Sequence, residues 1–311
     1  MAAIELIRGE DEDALARGLR VVADAFPNRA VTTSELRGYL DPLPHVHLLA
    51  VADGEDTGRG LVVIEPLFRA TNGAHSEVTV LPSRRREGIG TALFAAVVAW
   101  AEEQRLTELR SIVREGDEES FAWARRRGFE EFARELRLEL DLTTFDPPPV
   151  DPPSGIEIAT WAERPDAARG LYDVYLEASP DIPGSDEDEY EPFEGWLAHD
   201  MGGPGDKPEA TFVAFAGDEV VGYSKFSLTD AQPTVAFHDL TGVKRAWRGR
   251  GIASALKRTQ MAWAKEHGYE RLSTNNEERN EPIRRLNERY GYRPAPGRIF
   301  VRGPVENRQL R

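Results

Sequence analysis

The chain has 311 residues, a formal net charge of −15, 40% hydrophobic residues and no cysteine. That length accommodates about two domains; the acidic balance argues against general nucleic-acid binding, which needs basic surfaces; and the missing cysteines exclude disulfides, thiolate nucleophiles and cysteine metal sites, in keeping with a cytoplasmic protein. No segment approaches the roughly 20 apolar residues that span a bilayer, and the acidic start "MAAIELIRGEDEDALARG" does not read as a signal peptide.

In chain order, a helical opening (Ala14–Ala25) leads into the hairpin-like "HLLAVADGEDTGRGLVVIE". A strand then feeds "VLPSRRREGIG" and a helix, followed by the short strand "ELRSIVR", a second helix and a closing "GF" at Gly128 and Phe129. "DPPPVDPPSG" (Asp146–Gly155) sustains neither helix nor central strand and reads as a linker. The same order returns after it: a helix over Ala167–Ala178, the hairpin "TFVAFAGDEVVGYSKFSL", a strand into "VKRAWRGRGIA", a helix, "RLSTNNE", another helix and "GY". One offset of 163 relates Val80 to Val243, Arg85 to Arg248, Trp100 to Trp263, Leu109 to Leu272 and Gly128 to Gly291. The chain is therefore a duplication, with a first domain over 1–145, a linker over 146–155 and a second domain over 156–311, each mixed α/β.

A strand passing through glycines into a helix leaves first-turn N–H groups without partners. Together with the positive end of the helix dipole they suit an anion. Gly249 and Gly251 let backbone approach a ligand closely, Arg248 and Arg250 add charge, and Ser254 adds a hydroxyl. A diphosphate is the natural guest, since charge-assisted hydrogen bonds contribute roughly 1.5–3 kcal/mol each. The pattern is neither a Walker loop nor the dinucleotide fingerprint.

The loops "RREGIG" (Arg85–Gly90) and "RGRGIA" (Arg248–Ala253) resemble the acyl-CoA diphosphate loop, Q/R-x-x-G-x-G/A, of the GNAT N-acetyltransferase superfamily. The strands ending in Val80 and Val243 and the closing Phe129 and Tyr292 extend the likeness. Two copies in one chain look like the bacterial tandem GNAT proteins, a group that includes mycothiol synthase. The resemblance implies two GNAT-like acyl-CoA N-acyltransferase domains, each with a mixed, mostly antiparallel sheet flanked by helices. It implies acetyl-CoA as acyl donor and no metal. By the same resemblance, Leu240, Thr241, Gly242, Val243, Arg248, Gly249, Arg250, Gly251, Ile252, Ala253 and Ser254 would bind CoA. Asn275 and Asn280 would hold its pantetheine amides, and Arg85, Arg86, Gly88, Gly90 and Thr91 would form a second loop. The counterparts of Asn275 and Asn280 are Ile112 and Asp117, so the second domain is expected to be catalytic and the first degenerate.

The resemblance also places a general base nine residues before the loop arginine, at Asp239, with His238 next in line should a bulge exchange the strand's faces. The equivalent Ser76 is no base. The family's tyrosine acid is replaced by Asn287, and by Ala124 in the first half; Asn287 would hydrogen-bond the leaving sulfur. Tyr290, close by, is expected to point elsewhere. A bulge at Gly242 would free a backbone N–H near Thr241–Val243 for the acyl carbonyl. "DIPGSDEDEYEPFEGW" holds seven acidic residues among aromatics. It reads as an anionic mouth for a cationic amine, with Asp181, Tyr190, Phe193 and Trp196 at the acceptor site, or as a solvated loop.

The reading is a cytoplasmic acetyltransferase in which a small-molecule primary amine attacks the thioester directly. It expects no nucleic acid or membrane partner, and either a monomer that is a pseudo-dimer by duplication or a homodimer. A protein N-terminus or lysine as acceptor, and a CoA-binding protein without catalysis, are the alternatives.

Overall fold

The computed structural model describes residues 3–9, 11–65, 68, 71–181, 190–278 and 280–305, apart from the side chains at 28 and 277. The chain forms two compact units, one of Met1–Ala133 with Arg298–Arg311 and the other of Arg134–Gly297. These units part elsewhere than at the proline-rich segment, which lies inside the second.

In the first unit the strands are β1 (Ile4–Arg8), β2 (His45–Ala52), β3 (Glu55–Val63), β4 (Gly73–Val80) and β5 (Glu108–Arg114). Its helices are α1 (Glu12–Ala25), α2 (Thr33–Leu40), α3 (Ile89–Glu103) and α4 (Glu118–Arg125). The strands pair in sequence order, antiparallel except for the parallel pair β4–β5. Leu93, Val97, Leu109, Val113 and Phe129 anchor one core, and Leu15, Leu36 and Leu40 pack α1 and α2 on another.

The second unit repeats the plan. β6 (Glu130–Asp141) lies in both residue ranges, and its part from Glu135 pairs here. Then come β7 (Glu157–Thr160), α5 (Ala168–Ala178), α6 (Phe193–His199), β8 (Asp206–Ala216), β9 (Glu219–Ser227), β10 (Val235–Val243), α7 (Ile252–Glu266), β11 (Arg271–Glu277) and α8 (Glu281–Arg289). β7 to β10 pair antiparallel, β10–β11 is the parallel pair, and β6 closes the order against β11. The fold is thus mixed α/β with a mostly antiparallel sheet flanked by helices, as the sequence led us to expect.

The sixth strand of each unit comes from the other half of the sequence. Arg298–Pro304 of β12 (Arg293–Pro304) pairs antiparallel with β5, while Glu135–Asp141 of β6 pairs with β11. β6 and β12 are themselves images at the 163 offset. Residues 146–155 fall in the second unit because β6 delivers the chain there. Lys265 Nζ then donates to the carbonyl of Phe145 and the carboxylate of Asp146, and Arg258 to the carbonyl of Pro149.

Helix starts differ in a way that bears on function. Asp11, Thr32 and Asp117 cap α1, α2 and α4 with side-chain acceptors, Thr32 in a reciprocal box with Glu35. α3 and α7 begin instead on left-handed glycines, Gly88 (φ 90°) and Gly251 (φ 87°), with no side-chain cap. No described helix is long and apolar enough to cross a membrane.

The exchange makes a testable statement. Val301 in β12 is buried in the first unit's core. Val301→Ala should cost about 2 kcal/mol and lower amide protection in β5. Hydrogen exchange reads this, and loss of protection in β11 alone would contradict the pairing.

Candidate active site

β10 is the strand from which the site is built. Its parallel pairing with β11 covers only Val235–His238 against Arg271–Thr274. On its other side, pairing with β9 slips between His238 and Thr241, so one extra residue bulges at Asp239–Leu240. β4, its image, runs against β3 from His75 to Val80 with no slip. The bulge therefore lies earlier than Gly242. That glycine is paired with Tyr223, and a Cβ there would come within 3.1 Å of Ala178 and 3.2 Å of Val174, so it is small to admit α5.

The bulge separates two chemical environments. Asp239, whose side chain is 42% exposed, meets Lys225 Nζ at 2.8 Å. Lys225, buried on β9, also binds the carboxylate of Asp206 at 2.8 Å and the carbonyl of Asp200. Burial opposes its charge, and the flanking Asp239 and Asp206 overcome that and raise its pKa. Tyr223 lies beside this group; burial and the neighbouring carboxylates push its phenol up.

His238, 2% exposed, belongs to the other side. Gln260 Oε1 only accepts, so His238 Nδ1 donates to it at 3.0 Å and Nε2 accepts from the Tyr292 hydroxyl at 2.5 Å. Burial and the nearby Lys257 lower its pKa well below the ordinary range. It is a neutral core residue, with neither access to an acceptor nor the basicity expected of a substitute base.

Asn287 is also fully buried. Its Oδ1 accepts from Lys257 Nζ at 2.6 Å and its Nδ2 donates to Asn276 Oδ1 at 2.7 Å. Lys257 is 1% exposed, and burial alone pulls its pKa down to about 7. Asn275 follows the last parallel pair on β11, and its carbonyl accepts from Asn276 Nδ2 at 2.9 Å. Asn280 stands at the N-cap position of α8 without capping it by its side chain. Tyr290 ends α8 with its hydroxyl 2.6 Å from Ser254 Oγ, so it faces the first turn of α7 and not the position of Asn287.

The two arginine–glycine loops share their backbone and differ in charge. Gly249 (φ 74°) corresponds to Arg86 (φ 69°), a left-handed conformation that costs a non-glycine residue roughly 1–2 kcal/mol. In the first unit Arg85 pairs at 3.4 Å with both Asp117 and Glu119, and Arg86 with Glu119. Thr91 Oγ1 accepts from Arg127, and Gly90 lies in the first turn of α3. Carboxylates of the unit itself thus neutralise that loop. In the second unit Arg248 donates to the carbonyl of Val243 and pairs with Asp181 at 2.6 Å. Arg250 lies over the Trp247 ring and has no carboxylate partner among the described residues. Ile252 and Ala253 open α7. Beside them is a cleft of about 310 Å³ lined by Phe145, Asp146, Pro148, Arg258, Arg289 and Tyr290.

The acceptor residues expected from sequence divide. Asp181 also binds Arg245 at 2.8 Å, and its two arginines hold its pKa down to about 2, so it sits at the loop. Trp196 is fully buried against Tyr172 and Tyr175 and belongs to the core under α5 and α6. Phe193 meets Tyr172 edge-on in the same cluster beneath Arg169, and Tyr190 meets Tyr175 edge-on at 5.8 Å. The rest of the acidic stretch, 182–189, lies outside the described residues.

Sequence reasoning passed over Lys225, Lys257, Gln260 and Asn276. The signal for the last three was the internal repeat. Lys257, Gln260, Asn276, Asn287 and Tyr292 correspond at the 163 offset to Phe94, Val97, Val113, Ala124 and Phe129, all of them in the first unit's apolar core.

A bulged strand leaving its parallel neighbour beside an uncapped arginine–glycine helix start is an acyl-transfer architecture, and comparison with known proteins agrees. The sequence profile of the acetyltransferase (GNAT) family matches residues 20–129 and 168–292, and the chain belongs to that family. It is therefore an acyltransferase of tandem construction. It is 27% identical over 298 residues to mycothiol acetyltransferase of Nocardia farcinica (strain IFM 10152), covering 92% of each chain. A tandem GNAT protein from the clavulanic acid biosynthesis pathway shares the fold with a TM-score of 0.78 at 20% identity, over 98% of this chain and 99% of that one. A GCN5-related N-acetyltransferase from Sphaerobacter thermophilus does so with a TM-score of 0.75 at 21% identity, over 97% and 96%.

The buried lysine gives a pH test. Because Lys257 has a folded pKa of about 7 against an ordinary 10.5, the folded state binds fewer protons than the unfolded state between those values. Stability then rises with pH across that window by up to about 1.4 kcal/mol per unit, and the cost of charging the amine is fully present below it. Lys257→Met should be the more stable protein at pH 7, with its advantage shrinking toward pH 10. Urea unfolding at intermediate pH values measures this, and a pH-independent difference would refute it.

Proposed function

We propose that the protein transfers an acetyl group from acetyl-CoA to a primary amine of a small molecule, in the second unit, by direct attack of the amine on the thioester. The observation that carries the reading is the bulge at Asp239–Leu240 where β10 leaves β11; β4 leaves β5 after His75 but carries no bulge against β3. The loop supports it: the donors of Gly251–Ser254 and the guanidinium of Arg250 fit a diphosphate, and Arg258 and Arg289 in the neighbouring cleft fit further phosphate. In the first unit Asp117 and Glu119 already take the arginines. The likeness to a protein named mycothiol acetyltransferase supports acetyl transfer as the reaction.

The acceptor enters on the side of Asp239, Asp200 and Asp206, whose negative charge suits an ammonium group. An alkylamine near neutral pH is mostly protonated, a deficit of about 4.6 kcal/mol against its reactive form. Asp239 draws the proton away through water, and its tie to Lys225 loosens as it does so. Backbone N–H groups of the bulged segment polarise the acyl carbonyl.

Calorimetric titration of acetyl-CoA tests the donor site. Gly251→Glu places a carboxylate against the diphosphate and should weaken binding at least about tenfold, whereas Gly88→Glu should leave it unchanged. Equal losses in both variants would count against a single working site. For the chemistry, Asp239→Asn should lower kcat by about 100-fold or more with CoA binding retained, measured by free-thiol release over a panel of small amines. Full activity in that variant would remove Asp239 from the mechanism.

A further inference from the structure

We propose that Lys225 is a positioning residue for the acyl transfer: its ammonium clamps the two strands that slip on either side of β9 and so holds the Asp239 carboxylate for the acceptor. This rests on the reading of Asp239 as the base of the second unit and goes beyond it by assigning what sets that base in place.

The pairing registers put Lys225 where both neighbouring strands lose step. Against β10, Ser224 pairs with Thr241 and Phe226 with His238, so Lys225 alone faces Asp239 and Leu240. Against β8, Lys225 pairs with Thr211 and Ser227 with Asp206, so Phe226 alone faces residues 207–210. Extra residues on each side bend the flanking strands locally, and a long side chain rooted between them can reach both. Lys225 does so: Nζ lies 2.8 Å from Asp239 Oδ2 on β10 and 2.8 Å from Asp206 Oδ1 on β8. It also donates to the carbonyl of Asp200, at the C-terminal end of α6.

An ammonium carries three hydrogens. Each of them goes to a different segment of the chain, so Lys225 has none left for a substrate. Burial opposes its charge, but Asp239 and Asp206 outweigh burial, so it keeps its proton and has no lone pair with which to act as a base. Its part in the reaction therefore runs through Asp239. It holds Oδ2 and leaves Oδ1, which has no partner among the described residues, on a solvent-exposed side chain, for the water that takes the acceptor's proton.

The first unit shows that the sheet itself needs no cation here. Counted back from the valines that close β4 and β10, the counterpart of Lys225 is Leu61. Leu61 pairs with Glu77 on β4 and His47 on β2 with no slip beside it, and it is buried in the core under α1 and α2. The lysine thus accompanies the slipped strands. The charged and titratable groups that face it are Asp239 on β10, Asp206 on β8, Glu191 just before α6 and Asp200 just after it, Tyr223 on β9 and Tyr175 on α5; His199 pairs with Glu191. Loss of the lysine leaves carboxylates facing carboxylates, which favours their protonated forms.

The test reads Asp239 directly and needs no acceptor. In the full-length protein carrying carboxyl-labelled aspartate, the Asp239 carbon, assigned by its disappearance in Asp239→Asn, is titrated by NMR from about pH 2 to 9. Lys225→Met should raise its midpoint by about one unit or more, and Lys225→Arg should restore most of the difference. Asp206→Asn removes a competing carboxylate and should lower the midpoint; it serves should Lys225→Met fail to fold. With acetyl-CoA and the amine that the panel finds reactive, the acid limb of kcat/KM in Lys225→Met should move to higher pH by the same amount, with calorimetric acetyl-CoA affinity unchanged. A merely structural role would lower activity alike at every pH. A midpoint that stays at the wild-type value in whichever of the two variants folds would overturn the clamp. Full activity of Asp239→Asn would instead overturn the reading of Asp239 as the base, and this assignment with it.

Discussion

The site of the second unit depends on a single bulge at the point where a short parallel pair ends, a step that the first unit, whose own parallel pair is as short, lacks. β10 stays with β11 from Val235 to His238 and then departs. Departure alone would leave backbone donors and acceptors without partners, at about 1–3 kcal/mol for each group kept from water. The strand answers with a bulge against β9, so that its remaining residues stay paired on one side while the other opens. The same event sends Asp239 toward Lys225 and the acidic side, and His238 toward α7. One irregular step in one strand thus assigns neighbouring residues to separate compartments, a wet anionic one and a dry polar one.

The two compartments are held by different physics. On the acidic side, Lys225 ties Asp206 and Asp239 together, and removing it would leave like charges facing one another. On the dry side neutral hydrogen bonds link Tyr292, His238 and Gln260, whose Nε2 is buried without a partner, and Lys257 is a lone amine. The hydrogen bond that His238 Nδ1 donates to Gln260 Oε1 locks the ring in the tautomer whose Nε2 accepts from Tyr292.

Much of this was legible in the residues, and the reasons for the rest are physical. The short strands "ELRSIVR" and "RLSTNNE" emerged with their observed bounds because apolar alternation and flanking turns agree. The GNAT fold followed from a loop whose glycines and arginines serve one backbone geometry. β12 was hidden by Pro294 and Pro296, which discourage a strand reading, and the exchange of sixth strands leaves no local trace, since β6 and β12 carry the same pattern and either would fit either sheet. The bulge was expected at Gly242 because glycine is a bulge signal, whereas that glycine answers to the closeness of α5. Trp196 was read as a wall since an aromatic in an acidic stretch looks exposed; only packing places it under α5. Lys257 lies on a helix whose apolar face accommodates one long side chain without breaking its period, so burial of its amine had no signature apart from the contrast with Phe94.

The crossed sixth strands bear on how the protein is made. A ribosome releases the first half of the chain early, with Glu108–Arg114 ready and its partner, Arg298–Pro304, still far downstream. Until that partner emerges, the first unit carries an open strand edge, the kind of surface that invites pairing with a neighbouring nascent chain. The second unit has no such wait, because its borrowed strand, Glu135–Asp141, is already synthesised when β11 appears. The half that comes off the ribosome first is therefore the half that finishes last, because its completion waits for Arg298–Pro304 to be synthesised.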